Sequence, residues 1–305
     1  MGPDFPVILF YKYFPIDDPV AFVAEQRDLC TTLGLKGRVL IATEGINGTL
    51  AGPRSAVDQY ISTLRRDSRF ADIEFKTSAG DEHTFPKLMV KVRPEIVTLA
   101  AGIPLTPDTA NQLTPEEWKR TIEQDPDVVV LDVRNRYEWE LGKFANATTC
   151  DIEHFKELPS YVDRLQDLKD RKVLIYCTGG IRCEKASALL RSKGITNVFQ
   201  LHGGIVTYQE QFGNEHWLGE CFVFDQRMAV PVADNLVPLG RCAHTGRTTN
   251  RVVNCLHDPC HTLFLLASET EEENTNTRLC PSCLGAGLNS DTAVYKGSPA
   301  WVDAR

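Results

Sequence analysis

Residues 173–176, Val-Leu-Ile-Tyr, form an apolar run that leads without a spacer into Cys177-Thr178-Gly179-Gly180-Ile181-Arg182. Ala186, Leu189 and Leu190 then recur at helical spacing, and Gly194 is placed to end the helix. A strand that turns through a double glycine into a helix belongs to a sheet whose connections are helices. The pattern continues on both sides: strand 128–131, helix 158–168, strand 197–201, then the turn His202-Gly203-Gly204. Strands alternating with helices predict an α/β domain with a doubly wound parallel sheet, which binds ligands at the carboxyl ends of its strands. Cys177 stands at one of those ends.

The residues around Cys177 favour thiolate. Gly179 and Gly180 admit backbone conformations barred to other residues, so successive N–H groups can converge on the sulfur. The start of the helix adds its positive end and Arg182 a full charge, and thiolate is the nucleophilic form. A lone cysteine at a strand end is usually inert core. Strand, cysteine, two glycines, arginine and helix in that order are hard to explain as packing. A cation at a helix start is itself unfavourable unless an anion lies nearby, and the Cys177 thiolate supplies one. Cys183 either resolves an oxidised or persulfidated Cys177 or faces the core.

At 305 residues the chain exceeds one ordinary core. The expected division is a platform over 1–93, a linker and lead-in helix over 94–124, a central domain over 125–220 and a cysteine-rich tail over 221–305. In the first part, strand 7–14, helix 19–33, strand 37–43, a turn at 44–49, helix 53–66 and strands near 73–76 and 88–92 suggest a ferredoxin-like α+β sandwich. Thr114-Pro115-Glu116-Glu117 carries the signature of a capped helix start. Ten cysteines without a signal-like start in residues 1–15, and no apolar run of membrane length, predict a cytoplasmic chain with reduced thiols and no membrane contact. A net charge of −8 argues against broad attraction to nucleic acid but leaves room for a local basic groove.

Arg65, Arg66, Arg69, Lys76, Lys87, Lys91 and Arg93 offer such a groove, or simply a solvated surface. Tyr11, Tyr13 and Phe14 could stack a base, although aromatics in a first strand are usually core. In the tail, Cys242, Cys255, Cys260, Cys280 and Cys283 are candidate metal ligands. Cys280-Pro-Ser-Cys283 is a zinc half-site and Cys255 with Cys260 a possible second half; the alternative is free or redox-labile thiols. The acidic stretch 268–277 reads as a solvated loop.

Asp132-Val-Arg-Asn-Arg-Tyr-Glu-Trp139, the Cys177–Arg182 loop and Gly203-Gly204-Ile205 together resemble a rhodanese domain. In that family the cysteine carries a persulfide, and the loop of Thr178, Gly179, Gly180 and Ile181 cradles its outer sulfur. Related phosphatases carry one more residue between cysteine and arginine, so the spacing here favours sulfur chemistry. Asp132 and Arg134 read as a structural ion pair. Lys143 stands where that family tends to have His, so no role is carried over to it.

Glu44-Gly-Ile-Asn-Gly-Thr49 before this domain, the sequence 176–183 within it and Cys221-Phe-Val-Phe-Asp225 after it resemble a narrower family, the tRNA uridine hydroxylases. That resemblance covers most of the chain. It implies conversion of the wobble uridine of tRNA to 5-hydroxyuridine with molecular oxygen as co-substrate and Cys177 as the catalytic residue; Arg182, by its charge at the helix start, is the second candidate catalytic residue. The electron donor is not readable from the residues, which show no obvious two-His, one-carboxylate iron site and no flavin or nicotinamide fingerprint. The family often has Cys-x-x-Cys where this chain has Cys242-Ala-His-Thr245, so His244, His257 or His261 would have to complete a set built on Cys242. Two rivals stand beside hydroxylation: a sulfurtransferase working through a Cys177 persulfide, and a non-enzymatic thiol redox sensor.

Overall fold

The structure is a computed structural model describing residues 4–103, 111–230, 236, 238–273 and 278–289. The chain divides into two units, Met1–Gly102 and Ile103–Arg305.

The first unit runs β1 (Phe5–Tyr13), α1 (Pro19–Thr32), β2 (Lys36–Ala42), β3 (Gly45–Ala51), α2 (Arg54–Arg66), β4 (Phe75–Gly80) and β5 (Leu88–Val92). Its sheet has the order β4-β1-β3-β2-β5. β3 lies antiparallel between β1 and β2, the split arrangement of a ferredoxin-like sandwich, and β5 extends the edge parallel to β2. Ile8, Phe10, Val39, Ile41, Ile46 and Leu50 bury one face of the sheet together with Val57, Tyr60 and Leu64 of α2.

Residues 44–49, expected to be a turn, supply most of β3 instead. The reversal needs only Thr43 and Glu44, because Ala42 already pairs with Gly45. Gly48 serves close approach rather than turning: a Cβ there would stand 2.3 Å from the Phe10 ring. The segment after β5 is pinned locally, since Ile96 N donates to the Glu44 carboxylate at 2.7 Å and Asn47 Nδ2 donates to Ile96 O at 3.0 Å. Residues 104–110 of the expected linker lie outside the described residues.

The second unit opens with β6 (Asn111–Leu113), α3 (Pro115–Gln124), β7 (Val129–Asp132), α4 (Arg136–Leu141), β8 (Gly142–Phe144) and β9 (Ala147–Thr149). It continues with α5 (Leu158–Val162), β10 (Val173–Tyr176), α6 (Ile181–Ser192), β11 (Val198–Leu201) and α7 (Gly204–Phe212). The sheet order is β6-β11-β10-β7-β9, with every pair parallel. All residues of β7 and β10 are buried, as the apolar runs Val129–Leu131 and Val173–Ile175 demand in a sheet covered on both faces. Thr114 and Glu117 form the reciprocal cap at the start of α3. Asp132 and Tyr176 pair at the carboxyl ends of β7 and β10, one residue before Cys177.

The tail adds β12 (Trp217–Gly219), β13 (Cys221–Phe222), β14 (Ala229–Val230), β15 (Val252–Asn254), β16 (Leu263–Leu265), α8 (Ser268–Glu273) and α9 (Pro281–Gly285). β12 pairs with β8, and β15 with β16 as a hairpin. The stretch expected as a solvated loop carries α8, because its polar groups have partners. Thr270 is buried, and Glu271 accepts from Arg278 at 2.9 Å and pairs with Arg251. Residues 274–277 and 290–305 lie outside the described residues. Among the described residues no helix is long and apolar enough to cross a membrane.

Candidate active site

Cys177 links the end of β10 to α6, and its side chain is fully buried. Gly180, the N-cap of α6, takes φ +99° and donates its N–H to Cys177 Sγ at 3.1 Å. Burial by itself raises the thiol's pKa. The Cys183 thiol, which donates to the sulfur, the Arg182 charge and the N–H groups of Arg182 and Gly180 outweigh it, and Cys177 is lowered to about 5. Cys183, equally buried, is pushed well above the ordinary thiol range, first by burial and then by that thiolate. Among the described groups, then, the chain separates two neighbouring cysteines into a thiolate and a thiol donor.

The loop's outer contour is set by the start of α7. Ile205 N donates to Cys177 O at 3.0 Å and Val206 N to Thr178 O at 3.1 Å. Gly204 makes that approach possible: it takes φ +70°, and a Cβ there would lie 2.6 Å from both carbonyl oxygens. Thr178, Gly179 and Gly180 are buried around the sulfur, and Ile181 is half-buried.

Arg182 is held by a carboxylate that the sequence did not single out. Its Nη1 donates to Glu138 Oε1 at 2.5 Å and its Nη2 to Glu138 Oε2 at 2.8 Å, with Thr178 Oγ1 3.3 Å from Nη2. The Phe224 ring lies 5.5 Å from the guanidinium. Burial disfavours the Arg182 charge, but Glu138 more than offsets it and the pKa is raised. The anion that makes a cation tolerable at the start of α6 is therefore Glu138 as well as Cys177. The signal for Glu138 was its place in the Asp132–Trp139 motif, six residues after Asp132.

Asp132 and Arg134 form a second pair, both fully buried. Arg134 Nη2 donates to Asp132 Oδ2 at 2.6 Å and to Gly142 O at 2.6 Å, and the Tyr176 hydroxyl donates to Asp132 Oδ2 at 2.5 Å. This pair ties the ends of β7 and β10 to β8, the bracing expected of it. Lys143 stacks over Trp139 at 5.8 Å.

In the tail the structure brings together four of the five candidate cysteines. Cys255 and Cys260 lie on the β15–β16 connection, Cys280 caps α9 and Cys283 lies within it. Their sulfurs all lie within 4.8 Å of one another. Cys242 is not among them; its thiol donates to Thr270 Oγ1 at 3.7 Å beside α8. No histidine is needed to complete the set: His244 packs on Phe264 and His261 pairs with Asp258, while His257 Nδ1 lies 3.5 Å from Cys283 Sγ.

Comparison with known proteins matches three family descriptions in chain order. They are a UPF0176 acylphosphatase-like domain over 5–96, a rhodanese-like domain over 114–211 and a rhodanese C-terminal region over 218–284. A protein of Listeria welshimeri named tRNA uridine(34) hydroxylase is 42% identical over 276 residues, covering 88% of this chain and 86% of its own. A protein of the same name from Bacillus velezensis is 41% identical over 278 residues, covering 89% and 86%. This chain belongs to the tRNA uridine(34) hydroxylase family. A solved rhodanese-like domain protein from Staphylococcus aureus is 26% identical and covers 32% of this chain and 90% of its own, at a TM-score of 0.28.

Within this family member, the acylphosphatase-like unit uses several of its candidate basic residues internally. Arg65 donates to Ile73 O at 3.1 Å and stacks on Phe75, and Arg69 pairs with Asp67 at 2.5 Å. Lys76 is buried with its ammonium 5.4 Å from the Tyr11 ring. Arg66, Lys87 and Lys91 are exposed. Tyr11 and Tyr13 are half-buried and meet edge to face at 6.1 Å, and Phe14 packs on Phe70 at 6.3 Å.

Proposed function

We propose that this chain hydroxylates the wobble uridine of tRNA to 5-hydroxyuridine, with molecular oxygen as co-substrate and Cys177 as the essential residue. The observation that carries the reading is a buried thiolate at the carboxyl end of β10, in a chain collinear with relatives named for that activity. Cys177 supplies a sulfur that stays charged at neutral pH. Arg182 and the N–H groups of the Thr178–Ile181 loop stabilise charge on it, or on an outer sulfur it carries. Glu138 keeps the Arg182 guanidinium turned to that task. One oxygen atom enters the C5–H bond of uracil and the other leaves as water, which takes two electrons and two protons from a separate donor. The same reading places the chain in the cytoplasm with tRNA, and gives the tail a structural zinc.

The test is nucleoside mass spectrometry on tRNA from cells lacking this protein, complemented with wild type or Cys177→Ser. Return of 5-hydroxyuridine with wild type alone is the expected result. Failure of wild type to restore it sinks the reading. Sulfur transfer is the second reading, favoured by the four residues between Cys177 and Arg182 and by the Gly180 N–H on the sulfur. Turnover of thiosulfate to a thiol acceptor, lost in Cys177→Ser, would establish it.

A further inference from the structure

The tail contains little that could hold itself together. β15 and β16 have three residues each and α9 has five, lengths at which neither a hairpin nor a helix is stable alone. Regions of this size need a cross-link to supplement a small core. The four sulfurs of Cys255, Cys260, Cys280 and Cys283 stand where one would act, joining the hairpin connection to α9.

Their arrangement fits a metal. Tetrahedral zinc–thiolate bonds of about 2.3 Å separate neighbouring sulfurs by roughly 3.8 Å. Cys260 and Cys280 are 3.7 Å apart, and the whole set lies within 4.8 Å. Cys280 N also donates to Cys255 Sγ at 3.3 Å, which ties the start of α9 to the hairpin connection. Three of the four cysteines are buried and Cys260 is half-buried, so a metal would be closed off by four sulfurs with no open position, the form of a structural site.

The hairpin carries this site on one face and the active site's support on the other. Val253 and Phe264 pair across the hairpin and pack with the four cysteines. Val252 and Leu265, the adjacent pair, pack instead against Tyr137 and Leu141 of α4. Those two residues flank Glu138, the partner of Arg182. A second contact runs through aromatic rings: Tyr137 to Phe222 at 5.0 Å, Phe222 to Phe224 at 5.0 Å, and Phe224 to the Arg182 guanidinium at 5.5 Å.

We propose that zinc held by Cys255, Cys260, Cys280 and Cys283 locks the β15–β16 hairpin against α4, and so positions the Glu138–Arg182 pair beside Cys177. Zinc here is a remote brace; Glu138 is a positioning residue acting through Arg182. The inference rests on Cys177 as the reactive thiol but not on hydroxylation. It is read without tRNA, so its failure and the failure of the hydroxylase reading are separate results.

The test uses the full chain purified without chelator. Metal content is measured by elemental mass spectrometry. Cys177 ionisation is followed by ultraviolet thiolate absorbance against pH, as the difference between wild type and Cys177→Ser. Equimolar zinc is expected in wild type and its loss in Cys280→Ser. Leu265→Ala should keep zinc yet raise the Cys177 midpoint by about one unit. Stripping wild type with a chelator should raise the midpoint, and adding Zn2+ alone should return it. A wild type that neither contains nor takes up zinc, or a Cys280→Ser variant that retains it, overturns the site. A Cys177 midpoint indifferent to zinc removal overturns the brace.

Discussion

Glu138 and Arg182, 44 residues apart in the chain, meet in a two-armed ion pair at 2.5 and 2.8 Å. Glu138 comes from α4 and Arg182 from α6, so the pair fastens the helix after Cys177 to α4. Neither side chain is more than 6% exposed. The same carboxylate accepts from Asn135 N at 3.3 Å, which fixes it in the first turn of α4. Arg182 therefore arrives at the thiolate with little freedom left to lose.

Removing Glu138 leaves that guanidinium charged, buried and without its partner. Loss of one member of a buried pair costs about 3–5 kcal/mol. Glu138→Ala should lower stability by that order in denaturant unfolding. The double variant Glu138→Ala/Arg182→Ala should be less destabilised than the sum of the two single changes. Simple additivity would show that the two residues are not coupled.

Cys183 is the donor that most lowers the Cys177 pKa after burial has raised it. Hydrogen bonds to charged groups are worth about 1.5–3 kcal/mol, or roughly one to two pKa units. Cys183→Ala should raise the thiolate midpoint from about 5 by that amount. Cys183→Ser keeps a donor and should hold most of it down. If Ser and Ala behave alike, the hydrogen bond is not the cause.

Ionisation of Cys177 is also linked to stability. Its pKa falls from the ordinary 9.0 to about 5 in the folded chain, so the folded state favours the unprotonated form. The stabilisation is complete above pH 9.0 and is lost as pH falls through 5. The Tm difference between wild type and Cys177→Ser should therefore grow in favour of wild type from pH 5 to 9. A difference flat over that range would mean the thiolate is not held in the folded chain.

The Cys177 loop was legible in the sequence because every feature that forms it is local: strand, cysteine, glycines and helix follow one another. Thr114 and Glu117 were legible as a cap for the same reason. Glu138 was not, because its role exists only once the parallel sheet carries α4 to the start of α6. Residues 44–49 misled in the opposite way. Gly45, Asn47 and Gly48 are turn formers by type, but a central strand packed on Phe10 also needs glycine, for its lack of a side chain. Cys242 shares composition and neighbourhood with the other tail cysteines, and spacing alone could not separate it from the four that converge. The acidic residues after Ser268 looked solvated because Arg251 and Arg278, their partners, are fixed by tertiary structure.

Two glycines with the same backbone angle separate conformational strain from steric exclusion. Gly204 and Gly246 both take φ +70°. Nothing lies within 4 Å of a Cβ at Gly246, whereas one at Gly204 meets Cys177 O and Thr178 O at 2.6 Å and Gly180 N at 2.8 Å. Gly246→Ala should cost only the left-handed conformation, about 1–2 kcal/mol. Gly204→Ala adds three backbone collisions, and the backbone around Cys177 must move to relieve them. It should lose more stability than Gly246→Ala and also lose the thiolate absorbance at neutral pH. Equal losses in Tm, with the thiolate signal intact in both, would show that Gly204 does not hold the shape of the Cys177 loop.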